Sequence, residues 1–194
     1  MPSLSRAPLA VAVIVGSALL TACGIGTSGT ASPVTRPPAT ATPGAAHPTT
    51  AGAATRCTLA DLQATIGRTT GEAGQRHTAV IWTNTSGRDC TMTGFGGIAL
   101  EGPDDPTFGP TYSLPRSSTA PSTVRLAPGA TASTTITWLP PQDGPGWTPT
   151  QMLVTPPDET RSATLLWPEG AVLRQDGATH PGTFIDPVQP GAGG

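Results

Sequence analysis

The 194-residue chain has ten arginines and no lysine against twelve acidic residues, a net charge of −2 at pH 7. This charge excludes the clustered basic face that nucleic acid requires and a polybasic segment that would attract anionic lipid. The 24 glycines and 23 prolines approach the share found in low-complexity chains, but they concentrate in an N-terminal segment and in turns, which leaves room for one folded domain.

The first 22 residues are typical of a secretory signal peptide. Arg6 precedes a short apolar run, Leu9–Leu20, which is shorter than the roughly 20 apolar residues of a membrane span. The tetrapeptide Leu20–Cys23 resembles a lipobox, in which the cysteine is lipidated and becomes the first residue of the mature chain. An ordinary signal peptide followed by an incidental cysteine is the alternative. We predict a lipid anchor on Cys23, which places the protein on the extracytoplasmic face of the cell membrane.

The segment that follows, residues 23–56, is predicted to be a disordered tether. It consists almost entirely of Thr, Ala, Pro, Gly and Ser and therefore cannot bury enough apolar surface to offset the entropy of ordering. Its prolines favour a semi-extended spacer. The folded domain is expected over residues 57–188, and a short disordered tail over residues 189–194.

Two cysteines remain after the lipidation site. Cys57 and Cys90 would lie in an oxidising, extracytoplasmic setting, where disulfides persist. Neither belongs to a Cys-x-x-Cys motif, which disfavours a zinc or thioredoxin-like site. A structural disulfide is the favoured interpretation; two free thiols or half of a metal site are the alternatives.

Short β-strands are predicted throughout the folded part. Leu62, Ala64 and Ile66 alternate as in a strand, although Thr58–Asp61 also permits a capped helical turn that ends at Gly67. Further runs rich in β-branched and aromatic residues are bounded by turn residues. These runs are His77–Asn84, Cys90–Thr93, Gly97–Leu100, Met152–Thr155, Ala163–Trp167, Ala171–Arg174 and Thr183–Ile185.

The clearest local pattern lies around Pro128-Gly129. Val124 and Leu126 precede this turn, and residues 130–138 then alternate between apolar and threonine or serine positions. This pattern predicts a hairpin with one buried face. Seven or eight such strands without a long helix indicate an all-β, two-sheet antiparallel β-sandwich, with Trp82 and Trp138 in its core.

These residues together resemble a known family. The motifs occur in order at Cys57–Leu59, Gly74–His77, Trp82–Gly97 and Leu126–Ala130, followed by Val154–Pro157 and Trp167-Pro168. They resemble a domain of unknown function, the 4232 family of such domains, which is common in secreted proteins and lipoproteins of actinobacteria. The resemblance implies an immunoglobulin-like sandwich with a Cys57–Cys90 bridge, and it brings no activity or ligand. Many members carry a second cysteine pair, which this chain lacks, so packing of Trp147 and Trp167 is expected to replace it.

Catalytic and metal-binding motifs are not found. His77 and His180 lie in no recognisable catalytic motif, so we predict a protein that is not an enzyme and has no cofactor. The acidic stretch Glu101–Pro106 could supply oxygen ligands to calcium, and Met92 and Met152 with the histidines could supply soft ligands to copper. A metal-handling envelope lipoprotein is therefore the alternative function, although no specific metal ligands are assigned.

One loop has the composition of a binding site. Pro140–Pro149 contains Trp147, a large amphipathic side chain of the kind that anchors interfaces; the alternative is that Trp147 folds down over one end of the sandwich. Asn84–Ser86 matches a glycosylation acceptor but is interpreted as a turn. We predict a monomeric binding domain for an envelope protein or a cell-wall polymer, with the membrane as its second partner through Cys23.

Overall fold

The computed structural model describes residues 55–193, and the chain within this range is all β. Predictions for the signal peptide, for Cys23 and for the tether before residue 55 lie outside the described residues. Within them, no helix could span a membrane. The strands in chain order are β1 Thr55–Arg56, β2 Leu62–Glu72, β3 Gln75–Asn84, β4 Cys90–Thr93, β5 Gly97–Glu101, β6 Thr111–Ser113, β7 Thr123–Leu126, β8 Thr131–Trp138, β9 Gln151–Thr155, β10 Ala163–Leu166, β11 Phe184–Ile185 and β12 Gln189–Pro190.

The strands form three sheets in a sandwich-like arrangement. One has the order β1-β4-β7, a second β10-β9-β5-β6, and a third β11-β8-β3-β2, in which β12 also pairs with β8. Every pair of these strands is antiparallel except β1 with β4. The predicted all-β antiparallel sandwich is therefore confirmed.

The core lies between the inner faces of the sheets. Trp82 and Trp138, predicted as core residues, are 1% and 3% exposed. Trp138 also meets Trp167 edge to face, with ring centroids 5.4 Å apart, an arrangement that aromatic pairs favour. The alternating inner positions of β5 and β9 complete this core with Ile98, Leu100, Met152 and Val154.

The segment after Cys57 is a strand and not a helix. A turn at Thr58–Asp61 is closed by the Asp61 carboxylate, which accepts hydrogen bonds from the Thr58 amide and hydroxyl. The strand β2 then continues to Glu72 and pairs with β3 through a two-residue turn. Ala73 and Gly74 in this turn both have positive φ, 47° and 86°, as a tight hairpin requires.

The predicted hairpin around Pro128-Gly129 is wrong. β7 pairs with β4, whereas β8 pairs with β3, so the turn carries the chain from one sheet to another. The Asn84 carbonyl accepts the Gly129 amide and thereby fixes the turn. β8 is central in its sheet, and Ser133 and Thr137 on its other face are also buried; the single buried face that the alternation predicted is therefore absent.

Three further boundaries differ from the predictions. Thr55 and Arg56, predicted as the end of the tether, form β1 and pair with β4. Residues 171–174 form an isolated bridge between Val172 and Trp147 instead of a strand. At the other end, Gln189 and Pro190 pair with Ser133 and Ala132 of β8. The folded part therefore extends to Pro190, past the boundary at residue 188, because main-chain pairing with β8 orders the start of the expected tail.

Candidate functional site

The two cysteines of the folded part form a disulfide. Cys57 and Cys90 are 1% and 0% exposed, and their sulfur atoms are bonded across a sequence separation of 33. The Cys57 amide also donates to the carbonyl of Thr91 in β4. This hydrogen bond holds the start of the folded domain against β4. The prediction of a structural disulfide is confirmed, and both alternatives, free thiols and half a metal site, are wrong.

Asn84 is a structural turn residue. Its side chain is fully buried; the amide nitrogen donates to the carbonyls of Arg88 and Leu126, and the amide oxygen accepts from Ser86. All of the hydrogen-bonding groups of the Asn84 side chain are therefore used within the fold.

Trp147 is buried in the structure. It is 8% exposed, and its indole N–H donates to the carbonyl of Pro103 at 2.8 Å. The exposed patch that a binding loop centred on Trp147 requires is not present, because the indole packs inward. Binding by the rest of the 140–149 loop stays a prediction.

Arg174 lies at the centre of an aromatic cluster that sequence analysis missed. Its guanidinium carbon is 4.7 Å from the centroid of the Trp147 ring and 5.3 and 5.4 Å from those of Phe108 and Tyr112. The hydrogen bond to Asp176 raises the pKa of Arg174 above its usual value. Its side chain is only 4% exposed, so the cluster is a stabilising element. The cluster joins three separate segments of the chain, which contain Phe108 with Tyr112, Trp147, and Arg174, and no local pattern indicates their contact.

Two carboxylates of the acidic stretch accept hydrogen bonds within the fold, one from its own loop and one from β9. The Asp105 carboxylate accepts the amides of Thr107 and Phe108, which lowers its pKa, and Glu101 accepts the side-chain amide of Gln151. Residues 55–193 contain no group of three or more His, Cys, Asp or Glu side chains that could hold a metal ion.

The remaining residues considered for chemistry are dispersed. Met92 and Met152 are core residues, 2% and 0% exposed. His77 hydrogen-bonds through Nδ1 to the hydroxyl of Thr137. His180 is exposed and lines a shallow depression of about 350 Å³. In the part of the chain that the structure describes, neither histidine hydrogen-bonds to a carboxylate.

The candidate site is an open cleft of about 510 Å³, here called the Arg116 cleft. Three connections form its walls: the β4–β5 turn, the segment between β6 and β7, and the β9–β10 turn. Its lining residues include Phe95, Arg116, Pro121, Pro156, Asp158 and Glu159. No local sequence pattern indicates this cleft, because its walls come from three segments that are separated in the chain, residues 93–97, 116–121 and 155–159.

Glycine brings two of these walls together. A Cβ atom at Gly96 would lie 2.2 Å from the carbonyl oxygen of Thr155, a separation that no side chain can adopt without movement of the backbone. Gly96 therefore permits the β4–β5 turn to rest directly on the end of β9. The glycine-rich stretch Gly94–Gly97 thus has a packing role that shapes the cleft.

Comparison with known proteins identifies the family of the domain. No curated protein and no solved structure matches the chain. A family model described as a domain of unknown function matches residues 57–183, which is nearly the whole of the part described above. The chain therefore belongs to the DUF4232 family of domains.

Proposed function

We propose that the protein is a lipid-anchored binding domain on the extracytoplasmic face of a bacterial cell membrane, and that it acts without catalysis. In this proposal Cys23 carries the lipid and the described domain carries the binding surface. The actinobacterial source and the immunoglobulin-like topology implied by the sequence resemblance are part of the same proposal.

The observation that carries the proposal is the buried Cys57–Cys90 disulfide. Disulfides of this kind persist in oxidising compartments and are rare in the cytosol. The N-terminal segment also contains Arg6, then an apolar run and then the sequence Leu-Thr-Ala-Cys. This pattern is typical of exported lipoproteins. Both features support an extracytoplasmic location.

A binding role without catalysis is supported by the size of the Arg116 cleft and by the hydrogen bonding of His77. An open cleft of about 510 Å³ falls in the size range of roughly 300–1,000 Å³ that is usual for ligand sites. Histidine is the side chain used most often in general acid–base chemistry, and His77 is instead hydrogen-bonded to a threonine hydroxyl. The metal-handling alternative has no observation in its favour among residues 55–193.

The proposal is tested by cross-linking in the native cells. A tagged full-length chain is compared with the Cys23→Ala variant, and membrane and medium fractions are analysed separately. We expect the wild-type chain in the membrane fraction, with a reproducible cross-linked protein or wall polymer. The variant should leave the membrane or accumulate as a precursor, since one lost diacyl anchor removes firm attachment, and the cross-linked partner should disappear.

Two results would contradict the proposal. Retention of a processed Cys23→Ala chain in the membrane would refute the lipid anchor. A normally anchored wild-type chain without any cross-linked partner above background would refute the interaction role.

A further inference from the structure

The Arg116 cleft presents one cation and one anion that form no ion pair within residues 55–193. Arg116 lies in the segment between β6 and β7 and Asp158 in the β9–β10 turn, and both are exposed and line the cleft. Neither side chain forms a salt bridge in the described part of the chain. The cleft therefore offers unused charges of opposite sign on two separate walls.

The position of Arg116 is fixed by its backbone and by an aromatic ring. The amide of Ile185 donates to the carbonyl of Pro115, and the amide of Ser117 donates to the carbonyl of Ile185. The guanidinium carbon lies 5.6 Å from the centroid of the Phe95 ring, a cation–π contact. Arg116 donates no side-chain hydrogen bond within residues 55–193, so its N–H donors are available to a ligand.

Asp158 adopts a backbone conformation that glycine would adopt at lower cost. Its φ is +57°, and it follows Pro157 in a turn closed by a hydrogen bond from the Glu159 amide to the Pro156 carbonyl. Non-glycine residues with positive φ are uncommon and occur frequently at functional sites. Aspartate tolerates this conformation better than most residues, and because the Asp158 side chain makes no hydrogen bond with residues 55–193, the carboxylate is available to a ligand.

The other carboxylate of the cleft has structural partners. Glu159 accepts the amide of Leu59 at 3.1 Å, and its other oxygen accepts the amide of Thr160. It also lies 3.7 Å from the guanidinium of Arg161. Asp158 is thus the anion of this cleft that is available to a ligand.

We propose that the Arg116 cleft binds a short peptide segment that carries both a free carboxylate and an ammonium group. Arg116 receives the carboxylate through paired N–H donors, and Asp158 receives the ammonium group. The ring of Phe95 and the prolines at positions 121 and 156 supply apolar contacts for the peptide between these ends. This inference rests on the proposed function and names the ligand class of the binding surface.

The charges of the cleft argue against a polyanionic ligand. In a phosphate-rich wall polymer, one phosphate could pair with Arg116, but the neighbouring phosphate would lie close to the carboxylates of Asp158 and Glu159. Like charges at an interface are strongly unfavourable. A zwitterionic peptide is neutral overall and complements both unpaired groups. The observations therefore favour a peptide over a polyphosphate chain.

The test is calorimetric titration of the full mature chain, in detergent, with tri-alanine. Matched ligands are tri-alanine acetylated at its N-terminus and tri-alanine amidated at its C-terminus, each of which removes one charge. We expect saturable binding of free tri-alanine. Each capped peptide should bind at least about tenfold more weakly, since each cap removes one charged hydrogen-bond partner.

Variants of the protein locate the binding. Arg116→Ala and Asp158→Asn should each weaken binding of free tri-alanine by about the same factor. Arg68→Ala and Glu72→Gln are the matched controls, because both residues are exposed and lie outside the cleft. Their affinities should equal that of the wild-type chain.

Three results would overturn the inference. These are the absence of saturable binding by free alanine peptides at about 10 mM, equal binding of free and capped peptides, and equal binding by the cleft variants and their controls. Saturable binding of polyphosphate without binding of the free alanine peptides is a case of the first result and would also overturn the inference. Failure here combined with a cross-linked envelope partner would refute the peptide inference and leave the proposed function intact.

Discussion

The guanidinium carbon of Arg174 lies 4.7 Å from the centroid of the Trp147 ring. From this position its nitrogens donate to the carbonyls of Phe108, Gly109 and Thr111. The pair thus joins the 140–149 loop to the β5–β6 connection. Both residues lie in the C-terminal half, for which the sequence predicted that tryptophan packing replaces a second disulfide.

Arg174→Leu should strongly destabilise the domain. The substitution leaves three backbone carbonyls and Asp176 without their donor, in a cluster where the Arg174 side chain is 4% exposed. Breaking a buried pair from one side costs about 3–5 kcal/mol, and because Asp176 is 25% exposed we expect a loss near 3 kcal/mol, at the lower end of that range. Urea unfolding followed by tryptophan fluorescence measures it.

The matched control for this prediction is Arg125→Ala. Arg125 pairs with Asp89 at 2.6 Å, but the two side chains are 56% and 39% exposed, and exposed pairs contribute about 0–1 kcal/mol. An Arg174→Leu midpoint equal to that of Arg125→Ala would show that the aromatic cluster does not stabilise the fold.

Trp147→Ala should lower the free energy of unfolding of the domain, and any effect on partner binding should follow from this loss of stability. A buried tryptophan replaced by alanine typically costs about 3–5 kcal/mol. Trp147→Phe keeps most of the buried area and loses the hydrogen bond to Pro103, so it should cost about 1 kcal/mol more than the area change alone. Thermal melts should give a lower melting temperature for Trp147→Ala than for Trp147→Phe. An unchanged melting temperature in Trp147→Ala would contradict the burial of this side chain.

Local periodicity was sufficient to predict most strands of this fold. β3 and β8 lie in stretches that are dense in β-branched and aromatic residues. Their observed spans, Gln75–Asn84 and Thr131–Trp138, agree closely with the predicted His77–Asn84 and residues 130–138. Turn residues also marked the break at Gly94–Gly96 between β4 and β5. These features depend on neighbours in sequence, and a single sequence contains that information.

Neither the pairing of the strands nor the Arg116 cleft could be predicted from local periodicity. The turn at Pro128-Gly129 is the same local structure whether it closes a hairpin or changes sheet, and only the position of β4 and β3 decides between them. β6 is three residues long and is defined by β5 alone. The Arg116 cleft and the Arg174 cluster both depend on contacts between distant segments, which leave no periodic signal.

Removal of the disulfide should destabilise the domain considerably. A bridge across a separation of 33 residues contributes roughly 3–4 kcal/mol on the chain-entropy estimate. Because both cysteines are buried, the double variant Cys57→Ala with Cys90→Ala is preferable to serine, which would bury two hydroxyl groups. Its urea midpoint should equal that of the fully reduced wild-type chain, and a midpoint equal to that of the oxidised chain would contradict the prediction.

Gly96→Ala should disturb the wall of the Arg116 cleft. The new Cβ would meet the Thr155 carbonyl at 2.2 Å, and relief of this overlap requires the β4–β5 turn to move away from β9. Overpacking of this kind costs about 1–3 kcal/mol. Gly97→Ala is the neighbouring control, because its Cβ would make an ordinary 3.6 Å contact with Thr155. Equal melting temperatures for the two variants would refute the close approach.

Asp61 should make the stability of the domain depend on acid pH. Hydrogen bonds from the amide and hydroxyl of Thr58, together with Arg88 at 2.8 Å, lower its pKa below the ordinary value of 3.8. The unfolded chain therefore takes up a proton at Asp61 before the folded chain does as the pH falls. The stabilisation is complete well above pH 3.8 and is lost as the pH falls below this value, through the folded-state pKa.

The Asp61→Asn variant isolates this contribution to the pH dependence. At neutral pH it should be less stable than the wild-type chain, because the charged hydrogen bond to Arg88 is lost. The difference in unfolding free energy should narrow as the pH falls below 3.8, since the wild-type carboxyl then also becomes neutral. Asp143→Asn, which is exposed and makes no hydrogen bond within residues 55–193, controls for the change of charge. A difference for Asp61→Asn that stays constant between neutral and acid pH would show that the Thr58 and Arg88 contacts do not depend on ionised Asp61.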